Sequence, residues 1–168
     1  RQHPQKLGAD ADAGQLQASF EAADAAGLPR YGVLQPEYNL YDRAGFEGAL
    51  ADLCMKEEIG VITYFSLASG FLTGKYRTPA DTEGRARGED VARYLDDRGL
   101  RILAALDRVA AETGASPAEI TLAWLMAKPA VTAPIASATS LAQLASLMKA
   151  AALALSAEQL AMLDAAGA

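Results

Sequence analysis

Residues 61–76 read VITYFSLASGFLTGKY, and the change of character inside that stretch decides the fold. Residues 61–65 form a short, apolar, β-branched and aromatic run, the composition of a strand buried on both faces. From Ser66 to about Asp97 no periodicity survives. Gly70, Gly74, Gly84 and Gly88 are interleaved there with Lys75, Arg77, Arg85 and Arg87. This reads as one long loop after the third strand. Unstructured connections beyond roughly 12 to 15 residues are uncommon and usually functional or disordered, so the loop is a candidate binding element, set against a mobile insertion without a role.

Working outward, strand-like and helix-like stretches alternate. Upstream lie a weak first strand near residues 6–9 and a helix starting near Asp12, where Asp12 and Gln15 have capping-box spacing and Leu16, Phe20 and Ala23 share a face. Gly27 and Pro29 end it. A second strand at 31–35 and a helix at 45–58, burying Phe46, Leu50 and Leu53, lead to the stop at Gly60. Downstream, a helix at 98–113 carries Ile102, Leu103, Leu106 and Val109 on one side. Ser116, Pro117 and Glu119 start the next helix with an N-cap, a first-turn proline and a capping glutamate. A fourth strand is expected at 131–136, and Ser140 with Gln143 and Ser156 with Gln159 open two more helices. Such alternation predicts an α/β fold with parallel strands joined by helical crossovers.

The chain has 168 residues, enough for one domain over 1–168 and fewer than the roughly 250 typical of a closed eight-stranded barrel. Its net charge of -6 and lack of a basic stripe argue against a nucleic-acid partner. No apolar run approaches the roughly 20 residues of a membrane span, and residues 1–8 lack the apolar core of a signal peptide, so the expected compartment is the cytoplasm. The single cysteine, Cys54, excludes an internal disulfide and a cysteine-built metal site; placed near Leu50, Leu53 and Ile59, it reads as core filler. Asp10 and Asp12 lack further ligands at useful spacing. Helix capping explains them better than a metal does.

Three stretches carry a resemblance: LQPEYN at 34–39, ITYFSLASGFLTGKY at 62–76 and TAPIASATSLAQL at 132–144. In order and spacing the chain resembles the aldo-keto reductase family, specifically strands five to eight of its barrel. The resemblance implies the C-terminal half of a (β/α)8 TIM barrel: four parallel strands with surrounding helices and a long loop after the third. In that family the catalytic Asp, Tyr, Lys and His sit on the first four βα units, which have no counterpart here. No catalytic residue is therefore assigned. His3, the only histidine, lies five residues before Gly8, too close for the family's catalytic histidine, which a whole helix separates from the next strand.

The family binds NADP(H) at the C-terminal ends of the strands, and the resemblance places the cofactor contacts residue by residue. Gln35 matches the glutamine that reads the nicotinamide carboxamide, and Tyr64 the aromatic that stacks on the ring. Phe65, Ser66, Leu67, Ala68 and Ser69 match the turn that approaches the pyrophosphate, and Lys75 the lysine that neutralises phosphate. Ser137, Thr139, Ser140 and Gln143 match the segment that receives the adenosine 2′-phosphate at a helix start. Structural duties compete at each position: core packing for Tyr64, a solvated ammonium for Lys75, helix capping for Ser140. The chain departs from the family at several places. Gln143 stands where a basic residue is usual and Ser146 and Leu147 replace a Glu-Asn pair, leaving NADP against NAD preference open, while Gly8, Ala9, Asp10, Ala11 and Asp12 stand where the family has Gly-Ala-Ser-Asn-Tyr-Ser, without the Ser-Asn pair that grips the carboxamide.

The resemblance thus implies an oxidoreductase segment binding a nicotinamide nucleotide for aldehyde or ketone reduction, inactive alone. The alternatives are a non-catalytic remnant and a structural half-barrel. Exposed sheet edges and faces favour pairing in every case, as a homo-oligomer or with the missing N-terminal half.

Overall fold

The computed structural model describes residues 5–7, 11–85 and 87–168. Its strands are short and parallel: β1 (Gln5–Leu7), β2 (Tyr31–Leu34), β3 (Gly60–Thr63) and a two-residue β4 (Ala133–Pro134). They pair in the order β1-β2-β3-β4, with Leu34 opposite Val61 and Thr63 opposite Pro134. β3 and β4 stop earlier than their apolar runs. β3 ends because Phe65 takes a left-handed φ of 52°, turning the chain out of the sheet. On either side of β4, Thr132 N donates to Val61 O at 2.9 Å and Ile135 N to Thr63 O at 2.8 Å, while Pro134 has no N–H to give, as suits a proline at a sheet edge.

Among the described residues seven helices surround the strands: α1 (Ala13–Ala25), α2 (Ala49–Lys56), α3 (Gly88–Ala92), α4 (Asp97–Thr113), α5 (Pro117–Met126), α6 (Leu141–Ala152) and α7 (Ala157–Gly167). Reciprocal capping boxes start α1, α5 and α7 at Asp12/Gln15, Ser116/Glu119 and Ser156/Gln159. Each such N-cap is worth about 1 kcal/mol. The expected helix at 45–58 is shorter in fact, because Gly48 at φ 84° interrupts the chain before Ala49. Parallel strands with covering helices are the organisation of part of a (β/α) barrel. His3, Gly8, Ala9 and Asp10 lie outside the described residues, and so does the end of the first expected strand.

The stretch expected as one long loop is structured. It contains 3-10 turns at Ala68–Thr73 and Pro79–Thr82, then α3. Phe71, Leu72, Val91 and Tyr94 are fully buried and anchor it, yet each element is too short to show a helical period. Thr78 and Asp81 form a capping box around Pro79, the same start signal that was legible at Ser116.

The core joins Leu16 and Phe20 of α1, Leu34, Val61, Cys54, the apolar face of α4 and Leu163 of α7. Trp124 is fully buried within it, with the Tyr38 ring tilted against it at 5.5 Å and Phe46 5.0 Å from Tyr38. Burial pushes the Tyr38 phenol upward, and its hydroxyl donates to Glu47 at 2.7 Å.

Candidate functional site

Among the described residues, the turn after β3 has the most contorted backbone. Phe65, Ala68 and Ser69 have φ of 52°, 48° and 55°, and Gly70 has 96°. Side chains with a Cβ rarely adopt this region, and such strain persists only where surroundings enforce it. Here the Phe65 carbonyl accepts two bonds, from Ala68 N at 2.7 Å and from Asn39 Nδ2 at 3.1 Å. Ser66 is buried, its hydroxyl turned inward to donate to the Thr63 carbonyl at 3.2 Å.

Beside this turn lies a cavity of about 780 Å³, lined by Thr73, Lys75, Tyr76, Asp81, Arg85 and Arg87, the start of α5 and the first turns of α6. It brings together Phe65, Ser66, Leu67, Ser69, Lys75, Ser137, Thr139 and Gln143 of the residues singled out from the sequence. Four others do not line it. Gln35 is half-buried just beyond β2, and Tyr64 is half-buried with its ring 5.2 Å from that of Phe65. Ala68 is fully buried, and Ser140 is exposed, its hydroxyl accepting the Gln143 N–H at 3.2 Å. The cavity also recruits Asp81, Arg85, Arg87, Ile135, Ser146 and Leu147. Arg85 and Arg87 were visible in the sequence as part of a basic loop, but nothing there separated them from Arg77. The structure does: Arg77 makes a two-pronged bond to Asp107 of α4 at 2.7 and 2.8 Å.

Three cations, Lys75, Arg85 and Arg87, thus line one cavity of a chain whose net charge is -6. The one carboxylate among them, Asp81, accepts from the Arg77 and Thr78 backbone N–H groups and from the Thr78 hydroxyl, and these bonds hold it below its ordinary range. Across the cavity α6 begins, with its unpaired amides and positive dipole end. Gln143 Oε1 is drawn back to accept from Thr139 N and Oγ1 at 2.7 and 3.0 Å. Leu67, Ile135 and Leu147 supply apolar wall. A cavity of this size, part apolar and part cationic, suits a ligand with a flat apolar portion and several negative charges.

A second cavity, about 290 Å³, is lined by Glu37, Tyr41, Asp42, Arg43 and Arg98 among others. Its arginines are engaged within the protein, Arg43 with Glu47 and the Asp164 carbonyl, and Arg98 with the Gly167 carbonyl. Among the described residues no three His, Cys, Asp or Glu side chains gather as a metal cage, and no helix is long and apolar enough to cross a membrane.

The family model for the aldo/keto reductase family matches residues 11–168, and the chain belongs to that family. It is 36% identical over 141 residues to a probable voltage-gated potassium channel subunit beta of Arabidopsis thaliana, covering 81% of this chain and 43% of that protein. It is 32% identical over 145 residues to the Protein tas of Escherichia coli K12, covering 85% and 42%. With the L-glyceraldehyde 3-phosphate reductase of Escherichia coli O157:H7 it shares 33% over 116 residues, covering 66% and 34%. The chain therefore spans less than half the length of these relatives.

Proposed function

We propose that the chain forms the cofactor-binding portion, strands five to eight, of an NADP(H)-dependent aldo-keto reductase acting on aldehydes or ketones. The observation that carries this reading is the convergence of Lys75, Arg85, Arg87, the β3 turn and the α6 N-terminus on one cavity. These groups fit a dinucleotide phosphate: cations and helix amides for the phosphates, apolar wall for the base. Lys75 neutralises the pyrophosphate as it lies along the turn of Phe65, Ser66, Leu67, Ala68 and Ser69. Ser137, Thr139, Ser140 and Gln143 receive the 2′-phosphate at the α6 start. Gln35 and Tyr64, at the ends of β2 and β3, hold the carboxamide and the face of the nicotinamide outside the cavity. When bound, the reduced cofactor supplies a hydride to the carbonyl carbon of the substrate. The proton comes from residues of the first four βα units, to which no segment of this chain corresponds.

Fluorescence titration with NADPH, with NADH as control, tests the reading. Saturable NADPH binding, weakened roughly tenfold or more when Lys75→Ala and Arg85→Ala are combined, is expected because each removes a charge-assisted contact. Absence of binding up to about 1 mM, an affinity worth only about 4 kcal/mol, overturns it.

A second reading, a half-barrel that assembles with another copy or with the first half of the barrel, is favoured by one observation. On α6, Leu141, Leu144 and Met148 are 85%, 48% and 67% exposed at spacings that share a helix face. Light scattering that returns only a single-chain species in solution contradicts self-assembly.

A further inference from the structure

We infer that Asn39 and Asp42 are positioning residues that tie both ends of the cavity-forming segment, the β3 turn and Tyr94, to one hydrogen-bonded node. The inference rests on reading that turn as the cofactor wall.

Asn39 is fully buried, and both polar atoms of its side chain are engaged. Its Oδ1 accepts from Tyr41 N at 2.8 Å and Asp42 N at 2.9 Å. Its Nδ2 donates to the Phe65 carbonyl at 3.1 Å and to Asp42 Oδ2 at 3.0 Å. The first of these reaches 26 positions along the chain to the residue where the backbone enters its left-handed path. Because the same carbonyl accepts from Ala68 N, Asn39 fixes the peptide plane from which the turn departs, and a fixed plane aims every amide after it.

Asp42 Oδ2 is also the acceptor for the Tyr94 hydroxyl, at 2.8 Å. Tyr94 is fully buried just ahead of α4, its ring stacked 5.4 Å from Phe71 and edge-on to Tyr41 at 4.9 Å. Burial, with the Asp42 bond second, pushes its phenol upward and keeps its proton in place. Arg93 closes the arrangement, donating to the Tyr94 hydroxyl and to Glu37 Oε1 at 3.2 Å. The segment that carries Lys75, Arg85 and Arg87 is thus fastened at its start through Phe65 and at its end through Tyr94, both onto the Asn39–Asp42 pair. Loss of either tie frees the turn from the path its dihedrals disfavour.

Backbone amide exchange followed by NMR, joined to NADPH titration, tests this with three variants of the full chain. Asp42→Ala and Tyr94→Phe are each expected to speed exchange of the Ala68 and Gly70 amides about tenfold or more, while the α4 amides of Ile102 to Val109 stay as slow as before. NADPH affinity falls roughly tenfold in the same two variants. Asp42→Asn, which can present an oxygen in place of Oδ2, is expected to restore both readouts. Should Asp42→Ala not fold, Tyr94→Phe, which keeps the ring and its stacking, decides alone. Unchanged exchange at Ala68 and Gly70 in Tyr94→Phe, or loosening in Asp42→Asn equal to that in Asp42→Ala, overturns the inference. Faster turn exchange in a protein that never binds NADPH supports the node and overturns the cofactor reading instead.

Discussion

Ser146 Oγ donates to Glu119 Oε1 at 2.8 Å, so the α6 wall of the cavity is fastened to α5 by one bond. Glu119 is only 8% exposed, and its other oxygen accepts the Ser116 backbone N–H at 2.9 Å. One carboxylate therefore both starts α5 and holds α6. Glu119→Ala is expected to lower stability by about 2 kcal/mol, combining a lost cap with an unpaired hydroxyl, as read by urea unfolding.

The same carboxylate gives a pH dependence with a definite sign. Burial alone raises its pKa, but the bonds from Ser116 and Ser146 outweigh burial and hold it below its ordinary value of 4.5. A depressed carboxyl contributes stability above its unfolded value and loses it as pH falls through the folded one. Wild type minus Glu119→Gln stability is thus expected to be flat from neutrality down to the ordinary carboxyl range and to shrink below it. A difference that grows on acidification contradicts the assignment.

Trp124 Nε1 donates to Asp164 Oδ1 at 2.9 Å, and Lys128 Nζ reaches the same oxygen at 2.6 Å. Asp164→Ala leaves a buried indole N–H without this acceptor and is expected to cost roughly 1 to 3 kcal/mol. Since Trp124 is the single tryptophan, its fluorescence reports both the unfolding midpoint and the altered indole environment.

Cys54 is fully buried, and burial pushes its thiol up to about 11. Thiolate, the reactive form, is therefore scarce near neutral pH. Labelling by a thiol reagent is expected to be slow in the native protein and prompt in denaturant. Rapid native labelling contradicts its placement in the core.

A Cβ on Gly99 would overlap the Tyr94 carbonyl oxygen and stand 2.9 Å from Phe71 Cζ. Gly99→Ala is expected to destabilise by about 1 to 3 kcal/mol, the usual range for overpacking, despite alanine's better helix propensity. Thermal unfolding measures it, and a stabilised variant contradicts the close approach.

The sequence made some of this legible and hid the rest for physical reasons. Asp12, Ser116, Ser140 and Ser156 were readable as helix starts because a cap and its partner lie three residues apart, a local signal. The β3 turn and Lys75 were readable by resemblance to a family. The 3-10 turns in 68–82 were not, since a buried Phe71 and Leu72 in a six-residue element leave no period. Nor was the bond from Asn39 to Phe65 or from Tyr94 to Asp42, which join positions 26 and 52 apart. Arg77, Arg85 and Arg87 looked alike because only the distant Asp107 tells them apart.

The central claim, that the cavity beside the β3 turn binds the phosphates of NADP(H), is tested most directly by mapping backbone amide shifts during NADPH titration. The expected result is saturable perturbation concentrated at Leu67 to Gly70, Lys75, Arg85, Arg87 and Thr139 to Gln143. Perturbation centred instead on Tyr41 to Gly45 and Arg98, or none at all, contradicts it.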